Sequence, residues 1–185
     1  MALMGDYAQA VPADTLLAKK NGGGIPNDVA RMMGKRMMAV TETGVGKKLD
    51  EEMVKQLTSG DTVTARYLQK EFFDFQPTAK IHMATNHLPH VSSDAAIGRR
   101  LHDIGWDVSI PEAERDGMLD KRIIGEELSG VLNWALRGYS DWRNQGLSMP
   151  EAVKAKTKEH MAQGDLVGMW IGECTAPGDV DVLVE

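Results

Sequence analysis

Arg36-Met37-Met38-Ala39-Val40-Thr41-Glu42 is an apolar run closed by a hydroxyl and an acid, held between Gly34 and Gly44. So short a segment leaves little room for a helix. An apolar run without alternation is the pattern of a strand buried on both faces. A second run, Lys80-Ile81-His82-Met83-Ala84-Thr85-Asn86, ends in an amide instead of an acid. The order of strand, helix, hairpin, strand and then helices predicts an α/β core with a helical lid.

Working outward, Leu3–Tyr7 reads as the tail of a helix with Gly5 near its end, and Pro12–Lys20 as a short helix opened by proline. Asn21–Ile25 is a glycine-rich loop, and a helix opening at Pro26 stops at Gly34. Asp50 is a good N-cap for a helix over Glu51–Leu57 with Gly60 as its stop. Thr62–Tyr67 and Glu71–Phe75 are β-favouring segments around Leu68-Gln69-Lys70, which predicts a hairpin. Leu101–Ile110 reads as extended. Leu128, Val131, Leu132, Ala135 and Leu136 recur at helical spacing, and Ser148-Met149-Pro150-Glu151 is a candidate capping box for a last helix reaching Ala162.

The 185 residues suit one domain with a small appendage, and 42% hydrophobic content supports a core. Cys174 stands alone, which excludes an intramolecular disulfide framework and makes a reducing cytoplasm the default location. No apolar run approaches membrane-spanning length, and the first residues lack the pattern of a signal peptide. The net charge of −6 is unevenly spread: residues 31–100 carry eleven Lys/Arg against eight Asp/Glu, whereas 101–185 carry eight against sixteen. The chain is no polycation, but its middle third can present a basic surface.

Glu42 stands where a buried strand meets solvent, the end at which open α/β sheets place their ligands. An acid on one strand tip, Asn86 on the next and Arg99-Arg100 beyond them form the order of a ring-forming nucleotide hydrolase. In it the acid holds Mg²⁺ and polarises water, the amide orients that water, and an arginine reaches a neighbouring subunit's phosphate. Arg66, Tyr67, Gln69 and Lys70 put cations, an aromatic ring and an amide on one turn, groups suited to a nucleic-acid backbone. Each has an ordinary reading as well: loop carboxylate, turn amide, solvated charge, polar hairpin tip. Gly44-Val45-Gly46-Lys47-Lys48 is no phosphate loop, since its glycine spacing is wrong and no Ser/Thr follows the lysine. His82, His87 and His90 lack a fourth ligand for zinc. The tryptophans are read as packing.

Taken as a block, Asn27-Asp28-Val29-Ala30-Arg31, Glu42, Leu49-Asp50-Glu51, Val54–Asp61, Thr64-Ala65-Arg66, Lys70–Phe73, Ala84–Pro89 and Arg99-Arg100 resemble the phage and plasmid primase-helicases with a superfamily 3 helicase domain of the poxvirus-primase and satellite-phage type. The resemblance covers about residues 3–160. It implies a P-loop NTPase core of the AAA+ kind with a helical C-terminal lid, assembling as a hexameric ring on single-stranded DNA and moving 3′ to 5′. It places Glu42 at the Walker B acid, with Mg²⁺ held through the nucleotide, and Asn86 at sensor 1. Arg99 or Arg100 falls at the arginine finger, and Arg66–Lys70 on the DNA-gripping hairpin. Two departures stand out. The family's Gly-Lys-Ser/Thr loop is not in the sequence and is expected before Met1, and Gly98 stands where relatives carry a bulky aromatic, which is expected to loosen the arginine loop.

The expectation is therefore a partial helicase core over 1–110, a helical lid over 111–163 and a tail over 164–185. Its function would be ATP- and Mg²⁺-dependent translocation on DNA, with a primase domain or subunit as partner and no membrane. The alternative is a chain without turnover that acts only as a DNA-binding or subunit-binding module.

Overall fold

The structure is a computed structural model that describes residues 1–19, 27–41, 44–165, 170, 171 and 174. The predicted glycine loop at 21–25, the helix start at Pro26, Glu42 and most of the tail lie outside the described residues.

The chain is a mixed α/β protein around a parallel sheet. Three strands, β1 (Ala8–Val11), β2 (Met37–Thr41) and the strand Lys80–Ala84, lie in parallel with Met37–Thr41 in the middle. Both backbone edges of β2 are thus used, and Met38 and Val40 on it are fully buried. A two-stranded antiparallel ribbon, β3 (Val63–Ala65) and β4 (Phe73–Phe75), intervenes in sequence before Lys80–Ala84, which is β5. One hydrophobic core joins these elements to α1 (Asn27–Ala30), α2 (Glu51–Thr58) and α3 (Ala95–Gly98), with Val29, Leu57, Val63 and Ile97 almost wholly out of solvent.

Local chemistry sets the helix starts. The Asp50 carboxylate accepts the Met53 amide at 3.0 Å, which starts α2 where the sequence predicts. Asp94 caps α3 by accepting the Ala96 amide at 2.8 Å, and its carboxylate also pairs with Lys55 of α2. Those two contacts, Lys55 first, hold the Asp94 carboxyl below the ordinary carboxylate range. Glu51 ties the post-β5 loop to α2 by accepting the Ser92 amide at 2.6 Å and its hydroxyl at 2.7 Å.

Several expectations are corrected. Leu3–Tyr7 belongs to a 3-10 segment, Ala2–Tyr7, kinked at Gly5, whose φ of 48° suits glycine. Among the described residues of Pro12–Lys20 the helix is reduced to the 3-10 turn Ala13–Thr15, after which Leu17 bridges to Leu49. Residues 101–111 form no helix and no paired strand, which leaves the extended reading of Leu101–Ile110 standing without a ladder. The Ser148–Glu151 capping box does not form: Pro150 stands at the N-cap of α6 (Glu151–Ala162; α4 and α5 are introduced below) without a side-chain cap, and Glu151 pairs with Lys154. The physical reason is that a residue before proline is driven from the helical region, so Met149 cannot continue a helix begun at Ser148.

The C-terminal half is helical, as expected, with α4 (Leu119–Arg122), a π-helical turn (Ile123–Glu127) and α5 (Leu128–Gln145) before α6. Neither α4 nor α5 buries a residue, and Trp134 and Trp142 of α5 are exposed. By contrast α6 docks. Met161 packs on the core, and the buried His160 ring meets the Asp103 carboxylate through Nδ1 at 2.7 Å and the Pro89 carbonyl through Nε2 at 2.8 Å. Among the described residues no helix is long and apolar enough to cross a membrane.

Candidate nucleotide and nucleic-acid site

The parallel register pairs Thr41 with Ala84, so β2 and β5 end side by side at the same edge of the sheet. From there the chain continues directly into Glu42 after the first strand and, past Thr85, into Asn86 after the second. Glu42 itself lies outside the described residues. Asn86 is exposed in a bend whose neighbour, the Thr85 hydroxyl, donates to the His87 carbonyl at 2.9 Å and accepts the His87 amide at 3.1 Å. Beyond it, the His90 amide donates to the Lys47 carbonyl at 2.7 Å, stitching this loop to the turn after β2.

Arg99 and Arg100 follow α3 but are placed differently. Arg100 is half-buried, with Nε donating to the Thr58 hydroxyl at 3.1 Å and Nη1 to the Ala96 carbonyl at 2.7 Å. Arg99 is exposed, and among the described residues its guanidinium has neither a hydrogen bond nor an ion pair. Gly98 does not leave the expected slack. A Cβ there would stand 3.3 Å from Met161 Cε, so the α6 methionine occupies the space above the glycine.

The hairpin is shorter in its ladder and longer in its tip than predicted, with Ala65 paired to Phe73 as the last rung. The tip residues are drawn elsewhere. The Tyr67 hydroxyl donates to the Ala30 carbonyl at 3.0 Å, its ring stacks on Phe73, and the Leu68 amide donates to the Asn27 side chain at 3.1 Å. Anchoring to α1 thus competes with ladder pairing. Gln69 takes φ 57°, in the left-handed region that is uncommon outside glycine. Arg66 sits 4.8 Å above the exposed Phe72 ring, while Lys70 is exposed. The structure therefore brings Arg66, Tyr67, Gln69 and Lys70 together on one protruding tip, with Tyr67 acting at least as an anchor. Replacing Tyr67 by Phe is expected to cost about 1 kcal/mol of stability, from the lost hydrogen bond to Ala30. Chemical unfolding measures it, and an unchanged midpoint would show that the bond contributes nothing.

Sequence reasoning missed the buried His160, Asp103 and Pro89 contact, which spans more than fifty residues and has no local signature. Among the described residues no three His, Cys, Asp or Glu side chains converge to hold a metal.

No protein-family model matches the chain. A protein of Acanthamoeba polyphaga mimivirus described as "Putative helicase L207/L206" is 24% identical over 188 aligned residues, which cover 92% of this chain. The chain spans about a fifth of that relative's length, 20%. The similarity is to a protein described as a "putative helicase", at low identity, across nearly the whole of the present sequence.

Proposed function

We propose that this chain is part of an ATP-dependent DNA helicase of the replication primase-helicase kind, with a P-loop NTPase core of the AAA+ type. The observation that carries the reading is the parallel register of β2 and β5, whose paired ends, Thr41 and Ala84, precede Glu42 and Asn86 in sequence. The mimivirus helicase similarity supports the same class. Among the described residues β5 has a partner on one side only, so a further parallel strand carrying a phosphate loop can extend the sheet there.

A single carboxylate, Glu42, suits Mg²⁺ that arrives with its nucleotide and keeps most of its ligands from phosphate and water. Bound ATP with Mg²⁺ would supply the phosphoryl group and neutralise its charge. Glu42 takes a proton from water, Asn86 orients that water as donor and acceptor, and an arginine after α3 meets phosphate charge on a neighbouring copy in a homo-oligomeric ring. Hairpin cations grip the backbone of single-stranded DNA.

The hairpin assignment is tested by the Arg66→Ala, Lys70→Ala double variant. Anisotropy with a fluorescent single-stranded oligonucleotide should show roughly tenfold weaker binding and a salt dependence lowered by about one to two phosphate contacts. Undiminished affinity would remove the hairpin from the DNA path.

A further inference from the structure

The two ring nitrogens of His160 end on two different loops. Nε2 meets the Pro89 carbonyl at 2.8 Å, and Nδ1 meets the Asp103 carboxylate at 2.7 Å. Pro89 stands shortly beyond Asn86 in the sequence, and Asp103 shortly beyond Arg100. One buried imidazole on α6 therefore ties together the chain just past each of these site residues. Its neighbours on α6 repeat the pattern. On the arginine side, the Thr157 hydroxyl accepts the Asp103 amide at 3.0 Å, Lys156 pairs with Asp107, and Met161 lies over Gly98, immediately before Arg99. On the Asn86 side, Gly164 lies so close to the Val91 carbonyl that a Cβ there would collide with it.

The two sides depend on α6 unequally. Arg100 is held independently, by the Thr58 hydroxyl and the Ala96 carbonyl. Asn86, His87 and Leu88 are exposed, between Ala84, registered with Thr41, and the buried Pro89. The next residues are held from the core side, His90 by the Lys47 carbonyl and Ser92 by Glu51, whereas Pro89 is held from α6. A displacement of Pro89 has to be absorbed by the short exposed stretch that contains Asn86. We propose that α6 regulates the site by docking. His160 is the positioning residue that sets where Asn86 stands relative to the arginine segment, and the site is complete only while α6 is in place. The consequence for turnover rests on the helicase reading; the coupling of the two loops through His160 does not.

Two substitutions separate the ring's contacts. A glutamine amide nitrogen reaches about as far as Nε2 and keeps a donor for Pro89, whereas that of asparagine falls near Nδ1 and keeps one for Asp103. In ¹⁵N spectra of the whole chain, His160→Asn should move the amides of Asn86 and His87 and spare those of Leu101 and Asp103. His160→Gln should do the reverse. Thr157→Val, which removes the Asp103 acceptor and leaves His160 alone, should act as His160→Gln does. Variants that move both sets alike, or none that moves Asn86, would overturn the coupling. In the full-length protein with a phosphate loop, His160→Asn should lower kcat about tenfold with KM for ATP within about twofold. Added to Asn86→Ala it should cost less than about twofold more, because a residue acting through Asn86 then has nothing left to position. Losses that multiply, or that fall on KM, overturn the positioning role. A slow Asn86→Ala protein beside a normal His160→Asn one fails this proposal alone. Normal turnover in Asn86→Ala instead fails the assignment of Asn86, and the role of His160 in turnover falls with it.

Discussion

Glu42→Gln in a full-length protein that carries a phosphate loop is expected to lower ATP turnover at least about a hundredfold, or about 3 kcal/mol in the barrier, while nucleotide affinity stays within a few-fold. The substitution keeps the size and one oxygen of the side chain but removes its charge and its capacity to take a proton. Binding to the β- and γ-phosphates depends on the loop and is spared; activation of water is not. The acid is chosen because the strand before it in sequence is central, buried at Met38 and Val40, and registered against the strand that precedes Asn86. Steady-state phosphate release and equilibrium binding of a fluorescent nucleotide separate the two effects. Turnover within about threefold of the unsubstituted protein would remove Glu42 from the water-activating role, since a general base is worth far more than that. The isolated chain, which lacks the loop, is expected to release no phosphate with either residue. Comparison in that form would not bear on the acid.

How far the sequence alone reached depended on how local each cause was. β2 was readable because a continuous apolar run between Gly34 and Gly44 leaves little room for a helix, and β5 because a short, mostly apolar run after Pro77 ends at Asn86. The start of α2 was readable because the Asp50 cap is a contact over three residues. β1 was not. Ala8-Gln9-Ala10-Val11 has little β-preference of its own and becomes a strand through its register with Met37–Val40, twenty-nine residues away. The helix α5 was visible in its periodicity, but periodicity says only that one face is apolar, not that anything covers it, and its residues remain unburied. The candidate site divides in the same way. Residue types on strand ends and on a hairpin were legible. The different fates of Arg99 and Arg100 were not, because they depend on the Thr58 hydroxyl and the Ala96 carbonyl. Nor was the filling of the space at Gly98 by Met161, a residue on another helix.

The contact that joins α6 to the loop beyond Asn86 carries the largest expected loss of stability. His160→Ala should destabilise the fold by about 3–5 kcal/mol, because it leaves a nearly buried Asp103 carboxylate and the Pro89 carbonyl without their partner. The ring's geometry also dictates a charge state. Nε2 faces a carbonyl and so must carry a proton, while Nδ1 faces a carboxylate and gains most by carrying one too. Accordingly the His160 pKa is raised above the ordinary histidine value, by the Asp103 hydrogen bond first, against the opposing effect of burial, with the Pro89 carbonyl and the Asp103 charge assisting. A raised pKa in the folded state means that the imidazolium's contribution is complete below the unfolded value of about 6.5 and is lost as pH rises through the folded value. Thermal unfolding followed from pH 6 to 9 should therefore show a decline in native stability that Asp103→Ala flattens. The remaining neutral ring would keep its bond to Pro89 but have no carboxylate to favour the second proton. His82, His87, His90 and His102 are all exposed, and they are common to both proteins in the comparison. An equal decline in Asp103→Ala would show that the pair is not the source. A His160→Ala variant as stable as the native chain would mean that α6 is held by Met161 and its neighbours alone, with the ion pair no more than balancing its own desolvation.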